Sequence, residues 1–504
     1  MNNQSKIPQI EFLRFLFHFG LLLGICCCTD TKPYNPEKYE HLISDEPRSD
    51  DYEVWINGTK AVVYIARVQD PPFQKERTKH NHGGPYSFTT FDMDKPVEVK
   101  IKSTVKVLDH TILRPEGAGV KNLKRSDSEL SFTLEKPAQI IVEPDGKNGP
   151  LLLFANAIDD FRPDLDDPNL IYYGPGIHYP DTALIEMGDN QTLYLAEGAI
   201  VKAGVAVRGK NVTICGRGII CGNEFTWRQF SRSSILITES DNVVVKDVIL
   251  RGCASWTMPI IHSRNVLVDN VKIVAGRTQT DDGINPCNSQ DILIKNCFIR
   301  TDDDCIALKG ISLLPDTENN VERITVENCI LWCDRARIFL LGHESRAEYM
   351  RDLIFRNLDI VHFSMTAFLL EPGENMRLEH AVFEDIRING EGQRELIRLK
   401  PVVNQYMRTR VPGHINQISF KNITVTGKDG PYKIQLMDAD EEYTINRNEM
   451  DNIAAPTIVQ LPGAREGYLV TNVIFDGVSV SGQKVTQDYD SLETGDFVSG
   501  VIFK

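Results

Sequence analysis

Residues 291–299 read Asp291-Ile-Leu-Ile-Lys-Asn-Cys-Phe-Ile299, a polar residue, an alternating apolar segment, a second polar residue and a further apolar pair. Alternation with a period of two is typical of β-strands, whose successive side chains point to opposite faces. The same phrase recurs at seven other starts: Asn242, Asn265, Arg323, Asp352, His380, Gln417 and Asn472. The first six of the eight starts lie 23 to 32 residues apart. A strand-rich repeat of this length predicts a solenoid.

The repeat length indicates which solenoid. Each repeat has enough chain for two or three strands with their turns, and it buries its apolar side chains only by stacking on the next coil. We therefore predict an all-β fold with a parallel β-helix over residues 151–504. The Asn and Asp residues of the phrase fall where the chain must bend, because they tolerate left-handed backbone conformations, and we interpret them as structural.

The chain ahead of the repeats has a different pattern. Short alternating segments separated by turns such as Asn57-Gly58 and Asp145-Gly146 predict a small antiparallel β-sandwich over residues 51–150. Residues 29–50 are polar and contain proline, which is typical of a linker. Within the repeats, residues 428–467 depart from the phrase and predict a long loop over one face of the solenoid.

Residues 1–28 are unlike the rest of the chain. Lys6 and Arg14 accompany an apolar run from Phe15 to Ile25, which is too short to span a bilayer and predicts a signal peptide. The run ending at Cys26 resembles a bacterial lipoprotein processing site, whose cysteine would be acylated. The alternatives are an ordinary cleaved signal or a short membrane anchor. We expect an exported protein of the periplasm, outer membrane or cell surface of a bacterium, held by a lipid.

The charge and the cysteines narrow the class of partner. The net charge of −15 argues against nucleic acid or an acidic membrane face as the main partner, although a local basic patch would still allow a polyanionic substrate. No CxxC pair is present, which argues against a zinc site, and we expect no metal and no cofactor. We expect most of the eight cysteines beyond the signal to be buried free thiols: Cys215, Cys221, Cys253, Cys287, Cys297, Cys305, Cys329 and Cys333.

Two acidic stretches carry the candidate chemistry, Thr280-Asp281-Asp282-Gly283 and Thr301-Asp302-Asp303-Asp304-Cys305. In a β-helix, residues about one coil apart lie above one another, so Asp282 should lie close to Asp303 and Asp304. Adjacent carboxylates raise one another's pKa, and a protonated carboxyl beside an ionised one suits glycosidic bond cleavage. The alternatives are that these aspartates cap strands or bind calcium.

The sequence around these stretches resembles the polygalacturonase-like glycoside hydrolases of family 28, whose motifs are NTDG, DD followed by C-I-A, G-H-G and R-I-K. The resemblance implies a right-handed parallel β-helix and an inverting mechanism. It also implies that Asp303 is the general acid and that Asp282 and Asp304 hold the attacking water. Gly342-His343-Glu344 looks like G-H-G, and His343 would tune the protonation of the acid.

The resemblance also suggests substrate contacts. Trp256 would stack on a sugar, although a core role is an alternative, and Lys309 and Arg337 would reach the same groove. The position of the R-I-K motif is occupied by Leu369-Leu370-Glu371. An Arg and a Lys with the spacing of that motif, Arg398 and Lys400, occur one coil later in the chain. If these two cations lie outside the cleft, a neutral or differently charged sugar is favoured over a uronate. The order of the two domains, a sandwich ahead of a β-helix, resembles that of the dextranase and isopullulanase family, number 49.

The leading prediction is an exported inverting glycoside hydrolase acting on a polysaccharide or its oligosaccharides. One alternative is a polysaccharide lyase, which many parallel β-helices are. The other is a non-catalytic carbohydrate-binding β-helix. The matched motifs are those of hydrolases and no lyase base is evident, which favours the first prediction. The sugar, the linkage and endo or exo action stay open at this point.

Overall fold

The computed structural model describes residues 34–69, 83–228, 233–311, 320–389, 395–403, 411–426, 433–437, 467 and 469–504, together with the backbone but not the side chains of a few of these positions. The predicted signal peptide and lipoprotein site at residues 1–28 and nearly all of the insertion predicted at residues 428–467 lie outside the described residues. In the part of the chain that is described, no helix is both long and apolar enough to cross a membrane.

The first part of the described chain holds two short helices and ten strands. An α-helix spans Glu37–Glu40 and a 3-10 helix spans His41–Ile43. The strands are β1 (Glu53–Ile56), β2 (Thr59–Lys60), β3 (Tyr64–Ala66), β4 (Tyr86–Met93), β5 (Val97–Lys102), β6 (Ile112–Arg114), β7 (Val120–Arg125), β8 (Glu129–Leu134), β9 (Ala138–Glu143) and β10 (Leu151–Ala157).

These strands form two five-stranded sheets, in the orders β2-β1-β5-β8-β7 and β3-β4-β10-β9-β6. The sheets share one apolar core, with Val54 and Phe132 from one sheet and Phe91 and Leu153 from the other. The arrangement is the sandwich expected from the alternating segments, with one difference: β4 and β10 run parallel to each other. Strand β10 ends at Ala157, so this sheet continues past the boundary placed at residue 150.

The segment predicted as a linker over residues 29–50 is not a free tether where the structure describes it. Tyr39 and Ile43 are buried in the apolar cluster that joins the sandwich to the β-helix. Glu46 is also buried and forms ion pairs with Lys202 and Arg251 of the β-helix. The polar composition was misleading because a buried carboxylate with two cationic partners also anchors the segment to the β-helix.

The β-helix follows, and its strands are β11 (Leu170–Tyr173), β12 (Gly176–His178), β13 (Leu184–Met187), β14 (Thr192–Leu195), β15 (Ala199–Val201), β16 (Gly204–Val207), β17 (Lys210–Gly216), β18 (Ile219–Cys221), β19 (Ile235–Thr238), β20 (Asp241–Lys246), β21 (Ile249–Arg251), β22 (Met258–Ile261), β23 (Arg264–Asp269), β24 (Lys272–Val274), β25 (Ile284–Cys287), β26 (Gln290–Lys295), β27 (Phe298–Thr301), β28 (Ile306–Gly310), β29 (Val321–Glu327), β30 (Ile330–Cys333), β31 (Arg337–Ser345), β32 (Tyr349–His362), β33 (Thr366–Leu370), β34 (Arg377–Ile388), β35 (Glu395–Leu399), β36 (His414–Val425), β37 (Lys433–Leu436), β38 (Val470–Asp476), β39 (Ser479–Val480), β40 (Gln483–Lys484), β41 (Leu492–Thr494), β42 (Val498–Ser499) and β43 (Ile502–Phe503).

These strands wind into a parallel β-helix with one sheet of 22 strands and one of 11 strands. From β11 to β31 each coil gives two strands to the larger sheet and one to the smaller; β26 and β27, for example, lie in the former and β28 in the latter. In the next three coils one long strand, β32, β34 or β36, takes the place of the two. Successive coils pair in parallel, as when Ile292 of β26 pairs with Val266 of β23 and Ile324 of β29. The parallel β-helix predicted from the repeats is therefore confirmed.

The alternation in the repeat phrase corresponds to the two faces of each strand. In β26, Ile292 and Ile294 are buried in the interior of the coils, while Leu293 and Lys295 are partly exposed outside. One interior position becomes a column of stacked aromatic rings that runs through successive coils: Phe355, Phe383, Phe420, Phe475 and Phe503. All eight cysteines beyond the signal are free and buried, as expected.

The polar residues of the phrase lie at left-handed bends. Asn265, Asp291 and Asp352 have φ of 54°, 56° and 57°, and the other starts from Asn242 to Asn472 have similar values. Several of these polar side chains also hydrogen-bond to the coil before them, such as the amide of Asn296 to Asp269 at 2.7 Å. This supports the structural interpretation, because Asn and Asp tolerate this conformation better than other residues with a Cβ.

The sandwich packs on the larger sheet of the β-helix through the sheet that contains β10. Phe154 of β10 contacts Phe298 of β27 with ring centroids 5.2 Å apart. The buried Arg300 lies between the rings of Tyr86 and Trp332 and forms an ion pair with Asp334 at 3.1 Å. This contact fixes the coil that carries residues 302–304 against the N-terminal part of the chain.

Candidate active site

The two acidic stretches occupy the turns that lead into the smaller sheet. Residues 281 and 282 lie between β24 and β25, and residues 302–304 lie between β27 and β28. The N–H of Gly283 donates to the carbonyl of Asp304 at 2.8 Å, which continues the parallel pairing of β25 with β28. Asp282 and Asp304 are thereby placed side by side on adjacent coils, with Asp303 next to them.

Asp281 is a structural residue of this turn. It is fully buried, and its Oδ2 atom accepts hydrogen bonds from the backbone N–H groups of residues 276–278 at 2.8 to 3.3 Å. Its Oδ1 atom accepts from the N–H groups of Asp302 and Asp303 at 2.8 and 3.4 Å. One carboxylate therefore ties the two acidic turns together, although burial and the charge of Asp302 raise its pKa.

Asp302 is also held by protein partners. It is buried, its carboxylate lies 2.7 Å from the guanidinium of Arg335, and it accepts a hydrogen bond from Gln69 of the N-terminal part at 3.3 Å. Burial raises the pKa of Asp302 to about 6, against the lowering effect of Arg335. This carboxylate thus anchors an arginine.

Asp303 is the most accessible of the three predicted catalytic carboxylates. Its side chain is 17% exposed, against 4% for Asp282 and 4% for Asp304. Arg335 donates from Nη2 to Asp303 Oδ2 at 2.8 Å while its Nε atom serves Asp302. The fork of donors on one arginine therefore fixes two neighbouring carboxylates at once.

Asp304 is held by the start of the next coil. Its Oδ1 atom accepts from the backbone N–H of Arg337 at 3.1 Å and from the Arg337 guanidinium at 3.3 Å. Burial raises the pKa of Asp304, Arg337 opposes that rise, and the charge of Asp303 adds to it. Arg337 thus contacts a protein carboxylate, and its contact with substrate stays a prediction.

Asp282 lies beside a buried lysine. The Nζ atom of Lys309 is 3.2 Å from Asp282 and 2.5 Å from Glu344, and the amide of Asn285 donates to Asp282 at 2.7 Å. Burial raises the pKa of Asp282 to about 8 in spite of Lys309, and the charges of the other two carboxylates add to the rise. One ammonium thus lies beside two carboxylates in a buried site. Burial favours the protonated form of a carboxyl group, so Asp282 retains a proton more readily there.

The side chains of Trp256 and Lys309 contact each other. The Nζ atom of Lys309 lies 4.0 Å from the centroid of the Trp256 ring, and the ring is half-buried. Trp256 and Asp282 therefore both contact Lys309, and the stacking of Trp256 on a sugar stays a prediction. Lys309, by contrast, is buried with protein partners, so its predicted contact with substrate is replaced by a contact with Asp282 and Glu344.

His343 pairs with a residue that the sequence interpretation left without a role. Its Nδ1 atom is 2.9 Å from Glu371 Oε2, and the Glu371 side chain is 6% exposed. Despite burial, the hydrogen bond from His343 and the charges of Arg398 and Arg337 lower the pKa of Glu371. His343 is thereby connected to Arg337 and so to Asp304.

Arg398 and Lys400, the two cations with the spacing of the R-I-K motif, lie one coil beyond Glu371. Arg398 pairs across the sheet with Leu369, lies 3.7 Å from Glu395 and acts electrostatically on Glu371. Lys400 follows β35 and is buried, with its N–H donating to the carbonyl of Leu370 at 2.9 Å. Both cations therefore follow the coil of Glu371, and Arg398 acts on its carboxylate.

Four residues of this arrangement were missed or left unassigned by the sequence interpretation: Gln69, Asn285, Arg335 and Glu371. A signal existed for Arg335, because it follows Asp303 by 32 residues, the interval between the repeat starts at residues 291 and 323. No comparable signal existed for Gln69, which comes from the N-terminal part of the chain. Among the described residues, no group of three or more His, Cys, Asp and Glu side chains has the geometry to hold a metal ion.

The part of this chain that matches known proteins contains the two acidic stretches. The model of glycosyl hydrolases family 28 matches residues 206–329, which include all five aspartates. A probable polygalacturonase from Vitis vinifera is 30% identical over 110 residues, covering 21% of this chain and 22% of that protein. A probable exopolygalacturonase B from Aspergillus flavus is 25% identical over 292 residues, covering 54% of each chain. The chain thus spans about half or less of these curated relatives.

The fold has a solved counterpart in Dex49A from Penicillium minioluteum. The two structures agree with a TM-score of 0.62 at 13% identity, over 91% of this chain and 95% of that one. Identity at this level shows the shared fold only, which includes the right-handed sense of the β-helix. The resemblance to the polygalacturonase-like glycoside hydrolases of family 28, predicted from the acidic motifs, is thereby confirmed within a right-handed parallel β-helix.

Proposed function

We propose that the chain is an exported, inverting glycoside hydrolase that cleaves glycosidic bonds of a polysaccharide or its oligosaccharides. One observation carries this proposal. Asp282, Asp303 and Asp304 form a single carboxylate cluster on adjacent coils, inside the segment that matches the family 28 model. A cluster of carboxylates holds a proton on one group beside an ionised one, as acid and base catalysis of glycoside hydrolysis requires.

In the proposed mechanism, Asp303 protonates the glycosidic oxygen as the bond to the anomeric carbon breaks. Asp282 and Asp304 hold a water molecule on the opposite face of the sugar, and one of the two, in its ionised form, accepts a proton from it as its oxygen bonds to that carbon. The configuration inverts because attack and departure occur on opposite faces. The greater exposure of Asp303 supports its role as the acid, and its hydrogen bond to Arg335 supports a fixed orientation.

The surroundings suggest what else contacts the sugar. Trp256 supplies an aromatic face next to Asp282, and His343 lies on the next coil beyond Asp303. The cations near the cluster already pair with carboxylates: Lys309 with Asp282, Arg335 with Asp303 and Arg337 with Asp304. This pairing favours a neutral sugar over a uronate next to the cluster, whereas the names of the relatives favour a galacturonan.

The test is release of new reducing ends from a panel of pectic, dextran-like and sulfated polysaccharides. The wild type should cleave at least one of them, and Asp303→Asn should lose at least about 100-fold in kcat on it, the lower range for a positioned acid. Asp291→Asn, which alters an exposed aspartate paired with Arg323, is the matched control and should keep activity. Unchanged activity of Asp303→Asn would remove the catalytic assignment.

Two further readouts separate the mechanism from its alternatives. NMR of the first product should show the anomeric configuration opposite to that of the substrate, and retention would exclude the inverting mechanism. A lyase product absorbs in the ultraviolet because elimination creates a conjugated double bond. A non-catalytic binding protein would retain polysaccharide without any product.

Export and lipid attachment are proposed from residues 1–28 alone. Cys26 would carry the lipid after the signal is removed. Membrane fractionation and mass spectrometry of the mature N-terminus test this, with Cys26→Ser expected to release the protein from the membrane fraction. An unmodified N-terminus that retains residues 1–25 would contradict it.

A further inference from the structure

We propose that Glu371 is a positioning residue that orients His343 in the active site and fixes which ring nitrogen carries the proton. The inference rests on the proposed function, in which His343 serves the acid cluster. It assigns a role to a carboxylate found where the family motif has R-I-K.

The first observation is the contact itself. The Nδ1 atom of His343 lies 2.9 Å from Glu371 Oε2. An ionised carboxylate only accepts hydrogen bonds, so Nδ1 must carry the hydrogen. In the neutral ring Nε2 is then the proton acceptor, and it is the nitrogen through which His343 exchanges protons with its surroundings.

The backbone brings the two residues together. Gly342 has a φ of +107°, and a Cβ atom there would lie 2.8 Å from the backbone C and O atoms of Glu371. The N–H of Glu371 donates to the carbonyl of Leu341 at 2.8 Å. The close approach of β31 to the end of β33 therefore depends on glycine, and it sets His343 over the Glu371 carboxylate.

The surrounding charges keep Glu371 ionised. Arg337 from β31 and Arg398 from β35 face its carboxylate, and together with the His343 hydrogen bond they lower its pKa against the effect of burial. Arg337 also donates to Asp304 at 3.3 Å. The same guanidinium thus acts on the positioning carboxylate and on the acid cluster, which places His343 and Asp304 in one connected network.

The proposal accounts for a change of charge at one place on the coil. The residues at the place of R-I-K are Leu369, Leu370 and Glu371, so a carboxylate stands in a motif that otherwise carries two cations. Leu369 joins Ala307 and Leu340 in a small buried apolar cluster. The carboxylate is therefore the one charged group of the three, and its ring partner is within hydrogen-bond distance.

The experiment compares Glu371→Gln, which keeps size and an acceptor, with Glu371→Met, which keeps size and loses the charge and the oxygen acceptors. Histidine labelled with 15N reports the tautomer of His343, with its signals assigned by their loss in His343→Gln. The wild type should show the Nδ1–H form, Glu371→Met should lose that preference, and Glu371→Gln should fall between them. On a cleaved substrate, kcat should fall about 10- to 100-fold in Glu371→Met, with KM within about twofold.

The matched control is Glu322→Gln, which breaks a carboxylate–arginine pair with Arg351 on the other sheet and should alter neither readout. An unchanged 15N tautomer in Glu371→Met would overturn the proposal, and so would an unchanged kcat in a variant that has lost the Nδ1–H form. If no substrate is cleaved by the wild type, the proposed function fails while the tautomer still decides the role of Glu371. If Glu371→Met does not fold, the Glu371→Gln spectrum decides it.

Discussion

The Nζ atom of Lys309 lies 3.2 Å from the carboxylate of Asp282 and is buried under the ring of Trp256. The lysine therefore acts on Asp282 and through it on the water that Asp282 is proposed to hold. Although burial opposes the charged ammonium, Asp282 and Glu344 raise the pKa of Lys309, so its charge persists throughout the range in which Asp282 titrates.

Lys309→Met should move the pH profile of the enzyme. Without the ammonium, the pKa of Asp282 should rise from about 8, because Lys309 is the group that opposes the effect of burial. The limb of kcat/KM that reports this carboxylate should then move to higher pH by at least about one unit, which is about tenfold in rate on its acidic side.

Lys295→Met is the matched control, since Lys295 forms an ion pair with Asp269 on a partly exposed surface at 3.4 Å. It should leave the profile in place. If Lys309→Met kept the wild-type profile, Lys309 would not control the ionisation of Asp282.

Asp281→Ala should unfold the site, whereas Asp303→Asn should only inactivate it. Removal of the Asp281 carboxylate leaves buried N–H groups of residues 276–278 and 302–303 without their acceptor. Each buried donor left unpaired costs about 1–3 kcal/mol, so the loss in the free energy of unfolding should exceed about 3 kcal/mol. Urea unfolding measures it, and equal stability of the two variants would contradict the structural role of Asp281.

The fold was accessible from the sequence because one phrase repeats. Alternating residues such as Ile292 and Ile294 point into the coil in every repeat, and Asn or Asp marks the bends, so period and chemistry agree. The boundary at residue 150 was less accessible, because β10 is a continuous apolar run, buried at six successive positions, and lacks the alternation by which the other strands of the sandwich were identified. The segment containing Glu46 was misjudged, since the partners of a buried carboxylate come from distant residues.

The site was accessible in part. Spacing placed Asp282 near Asp303 and Asp304, and the structure places Lys309 on the coil of Asp303 and Arg337 and His343 on the next coil. The partners of each group were not predictable, because they depend on which side chain of a turn points inward. Asp302 and Asp303 are adjacent in sequence, yet one reaches Gln69 and the other lies at the surface of the cleft.

The stability of the protein should depend on the ionisation of Asp282. Its pKa in the folded chain is about 8, above the ordinary value near 4 expected in the unfolded chain. The stabilisation from its protonated form is therefore complete below about pH 4 and is lost as the pH rises through 8. In Asp282→Asn this loss disappears, so between pH 5 and 8 the variant should gain stability relative to the wild type, by up to about 1.4 kcal/mol per pH unit.

Urea unfolding at several pH values measures this difference. Asp166→Asn, which alters an exposed aspartate, should run parallel to the wild type throughout. A constant difference between Asp282→Asn and the wild type across this range would show that Asp282 keeps its ordinary ionisation.

Gly342→Ala should destabilise the β31–β33 contact and impair catalysis together. Gly342 has a φ of +107°, which an alanine adopts only with strain, and the added Cβ would lie 2.8 Å from the Glu371 backbone. We expect a loss of about 1–3 kcal/mol in the free energy of unfolding, together with a displaced His343 and a lower kcat. Gly188→Ala is the matched control, since its Cβ meets no atom within 4 Å and its φ is not in the left-handed region.

Unfolding in urea and kinetics on the same substrate measure both effects of Gly342→Ala. Loss of stability with full activity would separate the backbone contact from the placement of His343, and equal behaviour of the two alanine variants would contradict the close approach at Gly342.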